Sequence, residues 1–161
     1  MSRRDQIKMT DGEIEELLAG RHVMNVATIG KDGRPHLVAM WYGFIDARGA
    51  GGPRSQAPAW WTYGKSQKVL NLRRDPRITC LVETGDTYDQ LRGVELIGTG
   101  TILEDRDDVM TVGRSVFERY TGPWSDAAEG GVAAAGAKRV AVRIDIEQVV
   151  SWDHSKLGGT Y

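Results

Sequence analysis

Between residues 22 and 63 the β-rich runs follow one another through short turns, and no helix separates them. That order restricts the fold more than any other feature of the chain. His22–Ile29 (HVMNVATI) reads as a strand, and Gly30-Lys31-Asp32-Gly33 as the turn of a hairpin. Pro35–Asp46 (PHLVAMWYGFID) continues as one long strand, and Ala59–Tyr63 as its returning partner. The Gly/Pro/Ser-rich segment Ala47–Ala57 between them is expected to be a hairpin loop. Further β-rich runs follow at Arg77–Glu83, Leu91–Leu103 and Lys138–Ile146, with another at Gln148–Trp152. Hairpins dominate and strand–helix–strand crossovers are absent. Six or seven antiparallel strands with few helices point to a small barrel, not a doubly wound sheet.

The helices are signposted separately. Thr10 and Glu13 fit a capping box ahead of Ile14, Leu17 and Leu18 at helical spacing. Asp105–Tyr120 places Val109, Val112, Val116 and Tyr120 on one face. Gly122–Gly136 fits either a loop or a weak helix. Gly98-Thr99-Gly100 lies in a strand without the third glycine and βαβ unit of a dinucleotide fingerprint.

The segment WWTYGKSQKVLNLRRDPR, Trp60 to Arg77, carries the chemistry. It reads as a strand end, a turn at Gly64 and a helix capped by Ser66, stopped near Arg74 by Pro76. A helix N-terminus offers unpaired N–H groups and partial positive charge, so it favours an anion. Lys65 flanks the cap, and Lys68 sits in the first turn, where a cation opposes the helix dipole. A bound phosphate would reverse that penalty. Five cations (Lys65, Lys68, Arg73, Arg74, Arg77) stand against Asp75 here, in a chain of net charge −1. The competing reading is a solvated cationic face. The aromatics Trp60, Trp61 and Tyr63, with the hydroxyls of Thr62 and Ser66, favour a planar phosphorylated ligand.

The 161 residues suit one domain, 1–161. Near-neutral charge argues against bulk nucleic-acid binding, and no apolar run is long enough for a membrane span. The single cysteine, Cys80, forms no internal disulfide and suits a reducing cytoplasm. It is expected in the core. His22, His36 and His154 lack the spacing of a zinc site. The expectations are no metal, no nucleic acid and no membrane.

WTYGKSQK followed by NLRRDPR, with GRPHL upstream, resembles the split β-barrel flavin-binding proteins related to pyridoxamine 5'-phosphate oxidase. DTYDQLRGVELIGTGTI, SVFERYTGPW and SWDHSKLG are similar to an actinobacterial branch that binds the deazaflavin coenzyme F420. The resemblance implies a mainly β (α+β), Greek-key split barrel. It also implies a homodimer with the cofactor in a groove at the subunit interface. Ser66, Gln67 and Lys68 match positions that hold the phosphate, and Trp61-Thr62 match a segment touching ring and phosphate. Val38, Ala39, Met40, Trp41 and Tyr42 lie in the strand that runs along the ring. Trp41, Tyr42 and Trp152 are implied interface aromatics.

The departures favour F420 over FMN. The oxidase pattern has Arg where this chain has Gln67. Its ring-flanking arginine and lysine correspond to Val38 and Gly43, and its pyridoxal-phosphate-binding C-terminus has no match. Lys65, Lys68 and the pair Arg73/Arg74 would then serve the phosphodiester and acidic tail of F420. The implied activity is hydride transfer between reduced F420 and an organic small molecule, with Tyr42, Tyr63 or water as proton donor. The alternatives are an FMN-dependent oxidase or reductase, and a non-catalytic F420 carrier or tetrapyrrole binder.

Overall fold

The computed structural model describes residues 2–47 and 55–158. Residues 48–54 of the expected 47–57 hairpin loop therefore lie outside the described residues. Seven strands form one antiparallel sheet: β1 Met24–Ile29, β2 Pro35–Met40, β3 Gly43–Asp46, β4 Gln56–Tyr63, β5 Arg77–Thr84, β6 Arg92–Leu103 and β7 Arg139–Asp153. The helices are α1 Arg3–Gln6, α2 Asp11–Ala19, α3 Gln67–Arg74, α4 Arg106–Tyr120 and α5 Asp126–Gly136. None of the described helices is long and apolar enough to cross a membrane.

The strand order β2-β1-β5-β6-β7-β4-β3 puts two sequence neighbours, β2 and β3, at opposite edges of the sheet. Only Trp41 and Tyr42 join them. Three Cα-to-Cα steps span about 11 Å at full extension. The sheet must therefore coil until its edges face each other, and among the described residues no ladder pairs β2 with β3. This is a barrel split along one seam. The expected single strand 35–46 is thus two strands, broken where the chain steps across that seam.

Alternation on the strands separates two apolar compartments. Met24, Val26, Trp60, Ile78, Cys80, Val82, Val94, Leu96, Val142 and Ile144 fill the barrel interior, closed by Ile14, Leu17 and Leu18 of α2 and Leu72 of α3. On the outer side, α4 lays Val109, Val112, Val116 and Tyr120 against Ile45, Ala59 and Ala141. Close approach needs small residues: a Cβ on Gly113 of α4 would come within 2.9 Å of the Trp61 ring.

The capping box of α2 is present, with the Thr10 side chain accepting from Glu13 N and the Glu13 carboxylate accepting from Thr10 N at 2.6 Å. At the other end of α2, Arg119 of α4 donates to the carbonyls of Leu18, Ala19 and Gly20. The ambiguous glycine-alanine stretch is helical as α5, capped by Ser125. The two expected C-terminal strands are one strand, β7. Ile97 pairs with Gln148 but Gly98 with Ile146, so Glu147 is the extra residue of a bulge that bends β7 without ending it.

Candidate functional site

The mouth of α3 is built by strand alternation and a tight turn. Trp60 and Thr62 point from β4 into the barrel side, while Trp61 points outward to α4 and α5. The chain then turns at Gly64, whose N–H donates to Lys138 O at 3.1 Å, and Ser66 N donates back to Tyr63 O at 2.9 Å. Helix α3 starts at Gln67, with Ser66 in extended N-cap geometry.

Ser66 occupies the expected cap position, but its side chain does not cap. No side-chain hydrogen bond closes this helix N-terminus, and no acid lies in its first turn. The Ser66 hydroxyl instead receives a long contact, 3.5 Å, from Thr62 Oγ1. The N–H groups at the start of α3 and two hydroxyls thus share one corner, Thr62 being buried beneath it.

The five cations divide sharply. Arg73 pairs with Glu104 at 2.6 Å. Arg74 donates to Ile29 O and to Asn71 Oδ1, and Arg77 grips Asp75 at 2.6 Å. The pair Arg73/Arg74 is therefore occupied by protein acceptors, against the expectation that it serves an acidic ligand tail. Lys65 and Lys68 have no acidic partner among the described residues. Lys68 is half-buried, and burial alone lowers its pKa. Both lysines stand at the positive end of a helix.

Gln67 is tied into the protein. Its Nε2 donates to Asn71 Oδ1 at 2.8 Å, and Asn71 Nδ2 donates to Thr28 Oγ1 at 3.0 Å. Asn71 and Thr28 are fully buried, so this polar line anchors α3 to β1. The sequence reading passed over both residues. An Asn one turn after Gln67, set between the apolar Val69 and Leu72 of the same helix, was the available signal.

The remaining expected residues fall in three places. Val38 and Met40 turn inward from β2 against the barrel core, while Ala39 is exposed on the opposite face. Trp41 sits at the seam, 54% exposed, stacked on Tyr120 with ring centroids 4.8 Å apart. Tyr42 corrects the expectation. Its side chain is fully buried, its hydroxyl donates to Leu18 O at 2.7 Å, and the Arg119 guanidinium lies 4.5 Å over its ring. Burial pushes its pKa up to about 12. Within this chain its side chain is part of the core. Trp61 packs under Arg139, 4.4 Å from guanidinium to ring, away from the α3 mouth. Thr62, Lys65, Ser66, Gln67 and Lys68 thus lie together at the start of α3, while the side chains of Trp61, Tyr42 and Arg73 are engaged by Arg139, Leu18 O and Glu104. Trp152 lies across Gly93 of the neighbouring strand, half-buried. Cys80 is in the core as expected, its thiol pushed up to about 12 by burial.

A seven-stranded antiparallel sheet coiled and left open between β2 and β3, with an uncapped helix and two lysines beside it, defines the class as a split β-barrel. The chain belongs to the pyridoxamine 5'-phosphate oxidase family, whose model matches residues 10–153. It is similar along its whole length to the conserved hypothetical protein Rv2991 of Mycobacterium tuberculosis, with 44% identity, 95% of that chain covered and a TM-score of 0.89. An F420 reductase shares the fold at 23% identity, with 84% of this chain and 94% of that one covered and a TM-score of 0.61. So does HutZ, the heme storage protein of Vibrio cholerae, at 14% identity, with 90% and 97% covered and a TM-score of 0.64. No curated protein matches.

Proposed function

We propose that this protein is an F420-dependent oxidoreductase, acting in the cytoplasm as a homodimer on an organic small-molecule acceptor. The observation that carries the reading is the uncapped N-terminus of α3 with Lys65 and Lys68 beside it, free of acidic partners among the described residues. These groups fit a phosphodiester: fixed N–H donors, two cations and the hydroxyls of Thr62 and Ser66. Bound in its reduced form, F420 supplies a hydride equivalent to the acceptor.

The chain's own contribution is binding, orientation and exclusion of water. Lys68, half-buried, meets an anion in a partly desolvated setting where the pairing is stronger than in water. The Gln67–Asn71–Thr28 line keeps α3 in register with β1, so the donors are preorganised. Tyr63, exposed and with the Arg139 guanidinium 5.0 Å over its ring, or water would serve as the proton source.

The dimer reading is supported by apolar side chains exposed on and beside β1 and β2: Val23, Leu37 and Trp41, Leu37 by 65%. A second copy would bury these side chains and wall the ligand groove.

Membership in an oxidase family favours one second reading, an FMN-dependent oxidase or reductase on the same site. A fluorescence titration with F420, run in parallel with FMN, separates the two. Saturable F420 binding with weak FMN binding is expected. Preference for FMN moves the protein to the flavin reading, and binding of neither refutes both. A tightly bound F420 that supports no turnover across an acceptor screen would make the protein a carrier.

A further inference from the structure

A second space lies where α2 meets the β3–β4 ladder. A cavity of about 370 Å³ opens there, a volume in the range of small-molecule sites. Leu18, Ala19, Phe44 and Pro58 form apolar walls, and Ser55 and Gln56 add polar groups. Among the described residues that line it, Glu15 carries the only charge. Phe44 pairs with Pro58 and Asp46 with Gln56, so strand alternation turns all four side chains to one face. That puts a second carboxylate, Asp46, on the cavity's side of the ladder. Glu13 is paired with Lys156, but neither Glu15 nor Asp46 has a partner among the described residues. Arg119 lies 5.2 Å over the Phe44 ring, and its guanidinium is spent on the carbonyls of Leu18, Ala19 and Gly20. The cavity is remote from the mouth of α3, because Gln56 and Tyr63 are opposite ends of β4, roughly 20 Å apart at the usual strand rise.

We infer that this cavity binds a small organic cation: a primary ammonium ion carried on an apolar body. The body lies against Leu18, Phe44 and Pro58, and the ammonium meets Glu15. Charge selects this class. An anion would face a carboxylate with no cation in the described lining, and a purely apolar ligand would leave three polar side chains unused. An ammonium has three donors, enough for the Glu15 carboxylate, the Ser55 hydroxyl and the Gln56 side-chain oxygen. Its bond to the carboxylate is charge-assisted and so among the stronger kinds. A cation is also the sign that the C-terminal end of α2 favours, as Arg119 already shows. The site does not depend on what the mouth of α3 holds.

The test titrates the full chain with benzylammonium and reads backbone amide signals by NMR, with benzyl alcohol as the uncharged match. Saturable shifts confined to the cavity are expected, at Ala19, Phe44 and Gln56 among others. Benzyl alcohol should bind about tenfold more weakly, the scale of one charge-assisted hydrogen bond. Glu15→Gln should weaken benzylammonium by about the same factor and leave benzyl alcohol unchanged. Glu15 is exposed on α2, so the variant should keep the fold, which its thermal melt checks. Absent shifts, or shifts spread over other surfaces, overturn the inference. So does benzyl alcohol binding as tightly as the amine, or a Glu15→Gln variant that binds the amine unchanged. F420 binding should be the same with and without saturating benzylammonium. Competition between the two would merge the sites and overturn the claim of a separate one, whereas failure of F420 to bind while the amine does would sink the proposed function alone.

Discussion

Replacing Asn71 by Ala tests the link between the barrel and the ligand site. Asn71 is fully buried and spans two partners: its amide donates to Thr28 Oγ1 at 3.0 Å and its oxygen accepts from Gln67 Nε2 at 2.8 Å. Truncation removes a neutral buried hydrogen bond worth about 1 kcal/mol and leaves the buried Thr28 hydroxyl unpaired at a cost of about 1–3 kcal/mol. The sum is a loss of about 2–4 kcal/mol. Gln67, being exposed, recovers its bond from water and adds little. For a chain of this length the loss corresponds to a fall in Tm of roughly 5–15 °C. The assay is urea denaturation of Asn71→Ala, Thr28→Val and the double variant, at fixed protein concentration because a dimer would couple stability to it. Removing both partners should cost less than the sum of the single changes, because the orphaned hydroxyl disappears with its partner. The same variants should weaken F420 binding through loosened anchoring of α3. Strict additivity, or a loss within experimental scatter, would refute the claim that this bond ties α3 to β1.

The paired-cation pattern predicts that Lys68→Ala weakens cofactor binding by about 1.5–3 kcal/mol while Arg73→Ala leaves it unchanged, since Arg73 already serves Glu104. Equal effects in a fluorescence titration would undo the division of the cations. Glu13 accepts from Lys156 at 2.7 Å and from Thr10, and these bonds lower its pKa from 4.5 to about 2. A depressed carboxylate contributes stability that is present above pH 4.5 and lost as pH falls towards 2. Glu13→Gln should accordingly flatten the stability profile across that window, and an unchanged acid limb would assign the loss to other groups. With its thiol raised to about 12 and its side chain in the core, Cys80 should react with a thiol reagent only as fast as the protein opens. Stoichiometric labelling of the folded protein within the mixing time would contradict that burial.

Local signals carried much of this protein. The capping box at Thr10 and Glu13, the hairpin turn at Gly30–Gly33 and the start of α3 after Ser66 are decided by residues within a turn of one another, and each stands where its sequence puts it. The antiparallel barrel followed for the same reason, since short turns leave consecutive strands few other ways to pair. The concentration of cations at α3 was equally legible, because charge and helix polarity are properties of a short segment.

Partnership was not legible, because partners come from distant parts of the chain. Arg73 and Arg74 looked equivalent to Lys65 and Lys68 until Glu104, on the loop after β6, and Ile29, at the end of β1, came to face them. Trp41 and Tyr42, adjacent in sequence, were read together. The seam of the barrel separates them, leaving one exposed on Tyr120 and sending the other into the core beneath Arg119. The break in 35–46 has the same origin, for nothing local forbids a long strand there. It ends because the sheet coils and its two edges must be joined by the only residues between them. Sequence by itself determined the elements, the turns and the sign of the charge. The tertiary structure decided which polar groups are already satisfied, because a hydrogen bond is settled by whatever the fold brings within 3 Å, and only the groups left over are free to hold a ligand.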